Sequence, residues 1–117
     1  MAVEWSDDIL VAQLADEPAL SDELALVVDQ VNAADAGKRP SAVLDFSAVS
    51  YINSSNIAQL LRMRKLLDEG GRQMRICGVS DEVWSVLLVT GLDKVFTFAP
   101  DTMTALAGLQ LDAAQDE

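Results

Sequence analysis

Apolar and polar positions alternate along the chain with two distinct periods. Short apolar runs bounded by turn-forming residues are typical of strands in a buried sheet, while apolar residues spaced three and four apart indicate amphipathic helices. The short runs predict strands over residues 3–5, 9–14, 42–46, 74–79 and 95–98. Asp7 and Asp8 mark the expected turn between the first two strands.

Helical spacing is clearest after the second strand, where a set of apolar residues falls on one face of a helix. These residues are Leu20, Leu24, Val27, Val28 and Val31. Ser21 and Asp22 have the residue types of a helix start, so the first helix is predicted to begin near them. Gly37 and Pro40 are expected to close the segment.

Further helices follow the remaining strands. The second is predicted over residues 54–69 and ends at the glycine pair 70–71. Its expected apolar face comprises Ile57, Leu60, Leu61, Met63 and Leu67. The third begins at Asp81 and stops at Gly91, and the last begins after Asp101.

The resulting element order is β-β-α-β-α-β-α-β-α, and strands that alternate with helices imply a mainly parallel sheet covered by helices. We therefore predict an α/β fold with a mixed, mostly parallel sheet of about five strands and about four helices. With 117 residues the chain fits one domain, which is assigned to residues 1–111. The small polar tail, residues 112–117, is expected to fray.

Acidic residues outnumber basic ones and give a formal net charge of −11. This charge opposes binding to nucleic acid or to an anionic membrane surface and favours a partner with a basic face, although it equally serves solubility alone. The N-terminal residues do not resemble a signal peptide, and no apolar run approaches the ~20 residues of a membrane span. A cytoplasmic protein without membrane insertion is expected.

Histidine is absent and Cys77 is the only cysteine in the sequence. A Ser-His-Asp or Cys-His catalytic unit therefore cannot form, and a zinc site is not expected. No glycine-rich phosphate loop opens a helix, because the glycine pair 70–71 ends one. These observations predict a protein that is not an enzyme and that has no catalytic residue, metal or cofactor. Cys77 lies in an apolar run and is expected to be a small buried side chain.

Asp45 ends an apolar run, at the edge of the sheet where α/β proteins usually place functional groups. An aspartate at a strand end resembles the phosphoryl acceptor of a response-regulator receiver domain. Such domains also need an acidic cluster after the first strand, whereas Asp7 and Asp8 precede their strand. The preferred interpretation is that the Asp45 carboxylate accepts hydrogen bonds from loop amides.

A run of short polar residues opens the second helix: Asn53, Ser54, Ser55 and Asn56. Each residue type is favoured as an N-cap, and capping alone contributes about 1 kcal/mol. A hydroxyl at a helix start is also exposed, and a phosphate there would be stabilised by the helix dipole. Both interpretations stay open. Arg62, further along this helix, belongs to a solvated face or orients a phosphate or a partner.

Three segments carry a further pattern. Residues 43–55 contain a strand, a hydrophobic loop and the Asn-Ser-Ser of a turn that Asn56 completes. Residues 70–80 contain a glycine turn and a strand, and residues 90–96 a helix end with a glycine and an aromatic residue. Together they resemble the STAS domain family of anti-sigma factor antagonists and cytoplasmic domains of sulfate transporters, over nearly the whole chain. The family's turn is Asp-Ser-Ser-Gly, so Asn53 and Asn56 replace its Asp and Gly.

The resemblance implies a bacterial binding protein in a partner-switching circuit that regulates transcription. In that family an anti-sigma factor, itself a serine kinase, phosphorylates a serine of the turn, and the unphosphorylated antagonist binds the anti-sigma factor. By position Ser54 matches the phosphorylated serine, and Ser55 is the alternative. The implied partner-binding surface comprises Ser21, Asp22, Tyr51, Asn53, Ser54, Ser55, Asn56 and Arg62.

Two functions are therefore compared. The first is the phosphorylation-regulated antagonist, expected to be a monomer or a weak dimer. The alternative is a STAS module that binds its partner constitutively, as a scaffold or as a subunit of a transport complex. Asn53 and Asn56 favour the alternative, because they depart from the family's turn.

Overall fold

The computed structural model describes residues 2–6 and 8–115, with side chains for residues 3–5 and 8–111. The elements are β1 (Ala2–Ser6), β2 (Ile9–Ala15), α1 (Ala19–Ala33), β3 (Ser41–Ala48), α2 (Ser54–Glu69), β4 (Met74–Cys77), α3 (Asp81–Val89), β5 (Thr97–Ala99) and α4 (Thr102–Gln115). Single 3-10 turns occur at Ala36–Lys38 and Leu92–Lys94. The predicted order of strands and helices is confirmed.

The strands form one sheet in the order β1-β2-β3-β4-β5. β1 runs antiparallel to β2, and every other neighbouring pair is parallel. Leu10 of β2, Ala42 of β3 and Met74 of β4 lie opposite one another across the sheet. The carboxyl ends of these three strands therefore lie at one edge, and the loops that follow them meet there. The predicted mixed, mostly parallel sheet is confirmed.

Helices cover both faces of the sheet, but unequally. On one face α1, α2 and α3 bury the main apolar cluster, and on the other α4 contributes Ala105 and Leu109 to a smaller cluster. Cys77 belongs to this smaller cluster and is fully buried, as expected. The predicted face of α1 is confirmed, because all its residues are buried: Leu20, Leu24, Val27, Val28 and Val31.

The bounds of α2 match the prediction at both ends, but one residue of its predicted apolar face is wrong. Leu61 is 40% exposed, whereas Leu66 is buried in the core. The buried stripe follows Leu60, Met63 and Leu67, at helical intervals of three and four. Leu61 lies about 100° further around the helix than Leu60, so it points outward.

A buried arginine joins the far ends of α1 and α2. The Arg39 guanidinium donates to the carbonyl oxygen of Leu66 at 2.7 Å and to the carbonyl oxygen of Ala34 at 3.4 Å. It also pairs with the Glu69 carboxylate at 3.3 Å. The last carbonyls of both helices are thus partly satisfied by one side chain, as helix ends require.

Several predicted boundaries are corrected. α1 begins at Ala19 rather than near Ser21, because the Glu17 carboxylate accepts the Ser21 amide and so satisfies an N–H of the first turn. β4 ends at Cys77, since Gly78 has a positive φ of 70° that ends the extended backbone. β5 lies at Thr97–Ala99, because the preceding helical turn continues through the backbone of Val95.

At the C-terminus α4 continues to Gln115, so most of the predicted tail belongs to that helix. Residues 116–117 of the tail and Asp7 of the predicted turn lie outside the described residues. Within the described ranges, 2–6 and 8–115, no helix has both the length and the hydrophobicity needed to cross a membrane.

Candidate functional site

The loop after β2 and the loop after β3 are joined at the carboxyl edge of the sheet. The backbone N and the Oγ of Ser50 donate to the Asp16 carboxylate at 2.7 and 2.6 Å. These hydrogen bonds favour the charged form and lower the pKa of Asp16 below its ordinary value. The Asp16 carboxylate therefore fixes the second loop just before the predicted partner-binding residue Tyr51.

Glu17 makes a second connection between the same loops. Its carboxylate accepts hydrogen bonds from the backbone N of Ser21 and from Ser21 Oγ, the latter at 2.7 Å. It also accepts a longer hydrogen bond, 3.4 Å, from Nδ2 of Asn53. The bonds from Ser21 lower the pKa of Glu17 more than the bond from Asn53 does. Glu17 thus contacts the starts of both α1 and α2.

The start of α2 is a reciprocal capping box. Asn53 Oδ1 accepts from the backbone N of Asn56, and Asn56 Oδ1 accepts from the backbone N of Asn53, each at 2.9 Å. Asn53 has extended backbone angles, as an N-cap residue requires. The capping interpretation of this polar run is therefore confirmed, with Asn53 as the cap.

Asn56 is placed differently from the sequence expectation. The sequence predicts Asn56 to lie on the partner-binding surface, but its side chain is fully buried, so it cannot touch a partner in this arrangement. The reason is the capping box, which turns its amide inward, where Nδ2 lies 3.4 Å from Ser21 Oγ. Asn56 can therefore affect a partner only through the shape that it gives to the start of α2.

Ser54 and Ser55 are the first two residues of α2, and both are exposed. Neither hydroxyl has a hydrogen-bond partner within the part of the chain that the structure describes. Asn53 performs the capping, so these hydroxyls are not needed for it. Tyr51, two residues before the cap, has a large side chain that is 60% exposed.

Of the remaining predicted residues, Ser21 joins this network, whereas Asp22 and Arg62 do not. Ser21 is half-buried and connects to Glu17 and Asn56 by the hydrogen bonds described above. Asp22 on α1 and Arg62 on α2 are both exposed. Within the described residues, no hydrogen bond or ion pair connects either of them to the serine pair. Their assignment to a partner surface stays a prediction.

Sequence reasoning missed four polar residues of the site: Asp16, Glu17, Ser50 and Gln59. Gln59 Nε2 donates to the carbonyl oxygen of Ser21 at 2.9 Å, which adds another bond between α1 and α2. A signal for Asp16 and Glu17 was present in the sequence. Both follow β2 directly, and the carboxyl ends of parallel strands converge at one edge.

Asp45 has the structural role that the sequence favoured. Its Oδ1 accepts hydrogen bonds from the backbone N of Ser47 at 2.9 Å and from Ser47 Oγ at 2.6 Å. Gly78 packs closely against this turn, since a Cβ at its position would lie 3.1 Å from Asp45 Oδ1. Gly78 thus lets the loop after β4 approach the loop after β3.

Comparison with known families decides the membership of the chain. The sequence profile of the STAS domain matches residues 11–105, from the third residue of β2 to the first turn of α4, and so includes the start of α2 with its serine pair. The chain belongs to the STAS domain family. No curated protein sequence matches the chain.

Solved structures agree with this STAS fold. An anti-sigma-factor antagonist (STAS) domain protein from Planctomyces limnophilus is 21% identical, with a TM-score of 0.78 over 93% of this chain and 97% of its own. An anti-sigma factor antagonist from Mycobacterium paratuberculosis is 23% identical, with a TM-score of 0.70 over 93% and 92%. The SulP transporter STAS domain from Vibrio cholerae is 16% identical, with a TM-score of 0.75 over 95% and 88%. At these identities the similarity shows the fold.

Proposed function

We propose that this STAS domain is a cytoplasmic binding protein of a bacterial partner-switching circuit. It binds an anti-sigma factor that is also a serine kinase, and it is released when Ser54 is phosphorylated. The observation that carries the proposal is the Ser54 hydroxyl, which is exposed and unbonded among the described residues at the first position of α2. Structural relatives named as anti-sigma factor antagonists support this class of partner.

The proposed reaction transfers a phosphoryl group to this chain, which acts as substrate and not as enzyme. A new bond joins Ser54 Oγ to the γ-phosphorus of ATP, the bond to ADP breaks, and the hydroxyl proton is released. The kinase supplies the catalytic groups and the metal-bound nucleotide. The chain itself needs neither metal nor cofactor for this role.

Phosphorylation would block binding locally and leave the fold intact. A phosphate adds about −1.5 to −2 charges and considerable bulk to the contact surface. The helix start tolerates this charge, because the positive end of the α2 dipole lies beneath it. The capping box of Asn53 and Asn56 holds the loop in place, so the serine is presented on a rigid support.

The partner surface we propose is acidic, with one large aromatic anchor. Tyr51 is exposed and amphipathic, as residues at the centres of interfaces often are. Asp16 and Glu17 contact the loop through hydrogen bonds, Asp22 is exposed in the first turn of α1, and the chain as a whole carries −11. A kinase with a basic face around its active site fits this surface, and opposite charges would speed the encounter.

A constitutive STAS module is the second candidate. Asp16 and Glu17 favour it, because negative charge already lies beside the serine pair and opposes a second negative group. Such a module would bind its partner through the same surface without being modified. The module would act as a scaffold or as a subunit of a transport complex, as the family resemblance implies.

The test uses the cognate anti-sigma kinase, which is sought among the genes that neighbour the gene for this chain. We expect incubation with this kinase and ATP to add one phosphate, which Ser54→Ala abolishes and Ser55→Ala does not. We expect phosphorylation to weaken binding to the kinase at least tenfold in calorimetry, because charge and bulk enter the contact. Binding without modification of either serine would contradict this proposal and support the constitutive module.

A further inference from the structure

Glu17 is placed to respond to the charge of the serine pair. Its carboxylate holds the amide and hydroxyl of Ser21 in the first turn of α1 and also reaches Asn53, the cap of α2. Hydrogen bonds to a charged acceptor are stronger than those between neutral groups. The Glu17 carboxylate is exposed, however, so other charges can act on it. A new negative group near Asn53 would therefore repel the Glu17 carboxylate and disturb the hydrogen bonds that it accepts from Ser21 and Asn53.

The orientation of the Ser21 hydroxyl depends on that carboxylate. Ser21 has one O–H group, which it donates to Glu17, so its lone pairs face Nδ2 of Asn56 at 3.4 Å. The carbonyl oxygen of Ser21 accepts from Gln59 Nε2. A displacement of Glu17 is thus transmitted through Ser21 to the buried side of α2.

A phosphate on Ser54 would lie close to Glu17. Ser54 follows Asn53 directly, and consecutive Cα atoms are only ~3.8 Å apart. The Glu17 carboxylate accepts from Nδ2 of Asn53, so the phosphate would be attached to the residue next to one that Glu17 contacts, and charges act over a Debye length of ~8 Å at physiological salt. Asp16 adds a second carboxylate to the same loop, and within the described residues neither acid forms an ion pair that would neutralise it.

We infer that Glu17 couples the phosphorylation state of Ser54 to the loop between β2 and α1. Charge on Ser54 repels the carboxylate, weakens its bonds to Ser21 and Asn53, and releases the β2–α1 loop from the start of α2. The partner then meets two changes, a phosphate and a loosened neighbouring loop. This inference rests on the proposed function, since it requires Ser54 to receive the phosphate.

The experiment measures the Ser21 amide directly and needs no kinase. Phosphoserine is incorporated at position 54 during synthesis of the full chain, and amide hydrogen exchange is followed by NMR. The Ser21 amide donates to Glu17, so we expect its exchange to become roughly tenfold faster, as for loss of one hydrogen bond to a charged group. Phosphoserine at position 85, exposed on α3, is the control and should leave Ser21 unchanged.

A second variant tests whether the charge of Glu17 is responsible. Glu17→Gln keeps an acceptor oxygen and removes the charge, so phosphoserine at position 54 should no longer accelerate Ser21 exchange in this background. Acceleration that persists in Glu17→Gln would overturn the inference, as would an unchanged Ser21 amide in the phosphorylated wild-type chain. Release of the kinase by phosphorylation would still stand in either case, so the two proposals can fail separately.

Discussion

The starts of α2 and α3 occupy equivalent positions in the fold but differ in their chemistry. Each follows a parallel strand at the same edge of the sheet, and each is capped by a side chain, Asn53 for α2 and Ser80 for α3. Their third helical residues, Asn56 and Val83, are both buried. In α3 that residue packs in the apolar core, whereas in α2 it completes a polar network that reaches α1.

The first turns differ in charge as well. α3 begins with Asp81 and Glu82, which complement the positive end of its dipole. α2 begins with Ser54 and Ser55 and has no acid in its first turn. The comparison shows that α3 carries its complementary charge permanently, whereas α2 has neutral hydroxyls at the same place. A negative charge added by modification therefore has more effect at the start of α2 than at the start of α3.

The largest expected effect comes from replacing Asn56, the third residue of α2, by valine, the residue that α3 has at its third position. Asn56→Val leaves the backbone N–H of Asn53 without its partner and removes the contact with Ser21. We expect a loss of about 2 kcal/mol in the free energy of unfolding, as for an unsatisfied buried group. Urea unfolding followed by circular dichroism measures this loss.

Ala58→Val is the matched control for that substitution. Ala58 is exposed on the same helix, so this variant reports only the lower helix propensity of valine, which costs about 0.5 kcal/mol. If Asn56→Val and Ala58→Val were equally destabilising, the polar network would not contribute to stability.

Removing the two caps should cause a smaller loss in the free energy of unfolding, and that loss should differ between α2 and α3. Asn53→Ala and Ser80→Ala each remove the acceptor for one backbone N–H, at 2.9 and 3.2 Å. We expect each to cost about 1 kcal/mol, with the larger loss at Asn53 because it also contacts Glu17. Thermal unfolding of the two variants in parallel measures the difference. A larger loss for Ser80→Ala would contradict this order.

Exchanging first-turn charges should have a still smaller effect. Asp81→Asn removes a favourable interaction with the dipole and should cost about 0.5 kcal/mol at low salt. Ser54→Asp adds the same interaction to α2, but we expect a smaller gain, because Glu17 lies nearby and repels the new carboxylate. Unfolding at low and high ionic strength measures both effects, which should shrink as salt increases. A Ser54→Asp gain as large as the Asp81→Asn loss would argue against repulsion by Glu17.

The smallest expected effect is the response to pH. The pKa values of Asp16 and Glu17 are lowered by their serine hydrogen bonds, so both groups stabilise the folded state above their ordinary pKa values. This stabilisation is lost as the pH falls below the ordinary pKa values of the two groups and through the lowered ones. NMR titration should show the Ser50 and Ser21 amides shifting in that window. The Val83 amide, capped by the neutral Ser80 hydroxyl, is the reference and should shift less.

The elements of the fold were predictable because burial follows local spacing. The face of α1 and both ends of α2 could be predicted from periodicity and from the glycine pair. Leu61 was misassigned because a stripe of apolar residues on a helix does not reveal which of its two margins a neighbouring helix covers. The shift of β5 came from a helical turn at Leu92–Lys94 that has no strong sequence signal.

It was chiefly the residues at the start of α2 that could be predicted as part of the site from the sequence. Asn53 as a cap and the exposed serines follow from residue type and position, which are local properties. The burial of Asn56 and the roles of Asp16 and Glu17 depend on contacts between residues more than thirty positions apart. Such pairings are fixed by the register of β2 against β3, which spacing alone does not determine.

The attachment of α1 to α2 at both ends has a consequence for how the domain opens. Arg39 joins the helices at one end, and Ser21 joins them to Asn56 and Gln59 at the other. The strand between them in sequence, β3, lies at the centre of the sheet. The segment from α1 through α2 should therefore open as one cooperative unit, while α4 on the opposite face can separate at lower free energy. Partial unfolding that separates α4 would therefore leave the start of α2, with Ser54 and Ser55, in its folded arrangement.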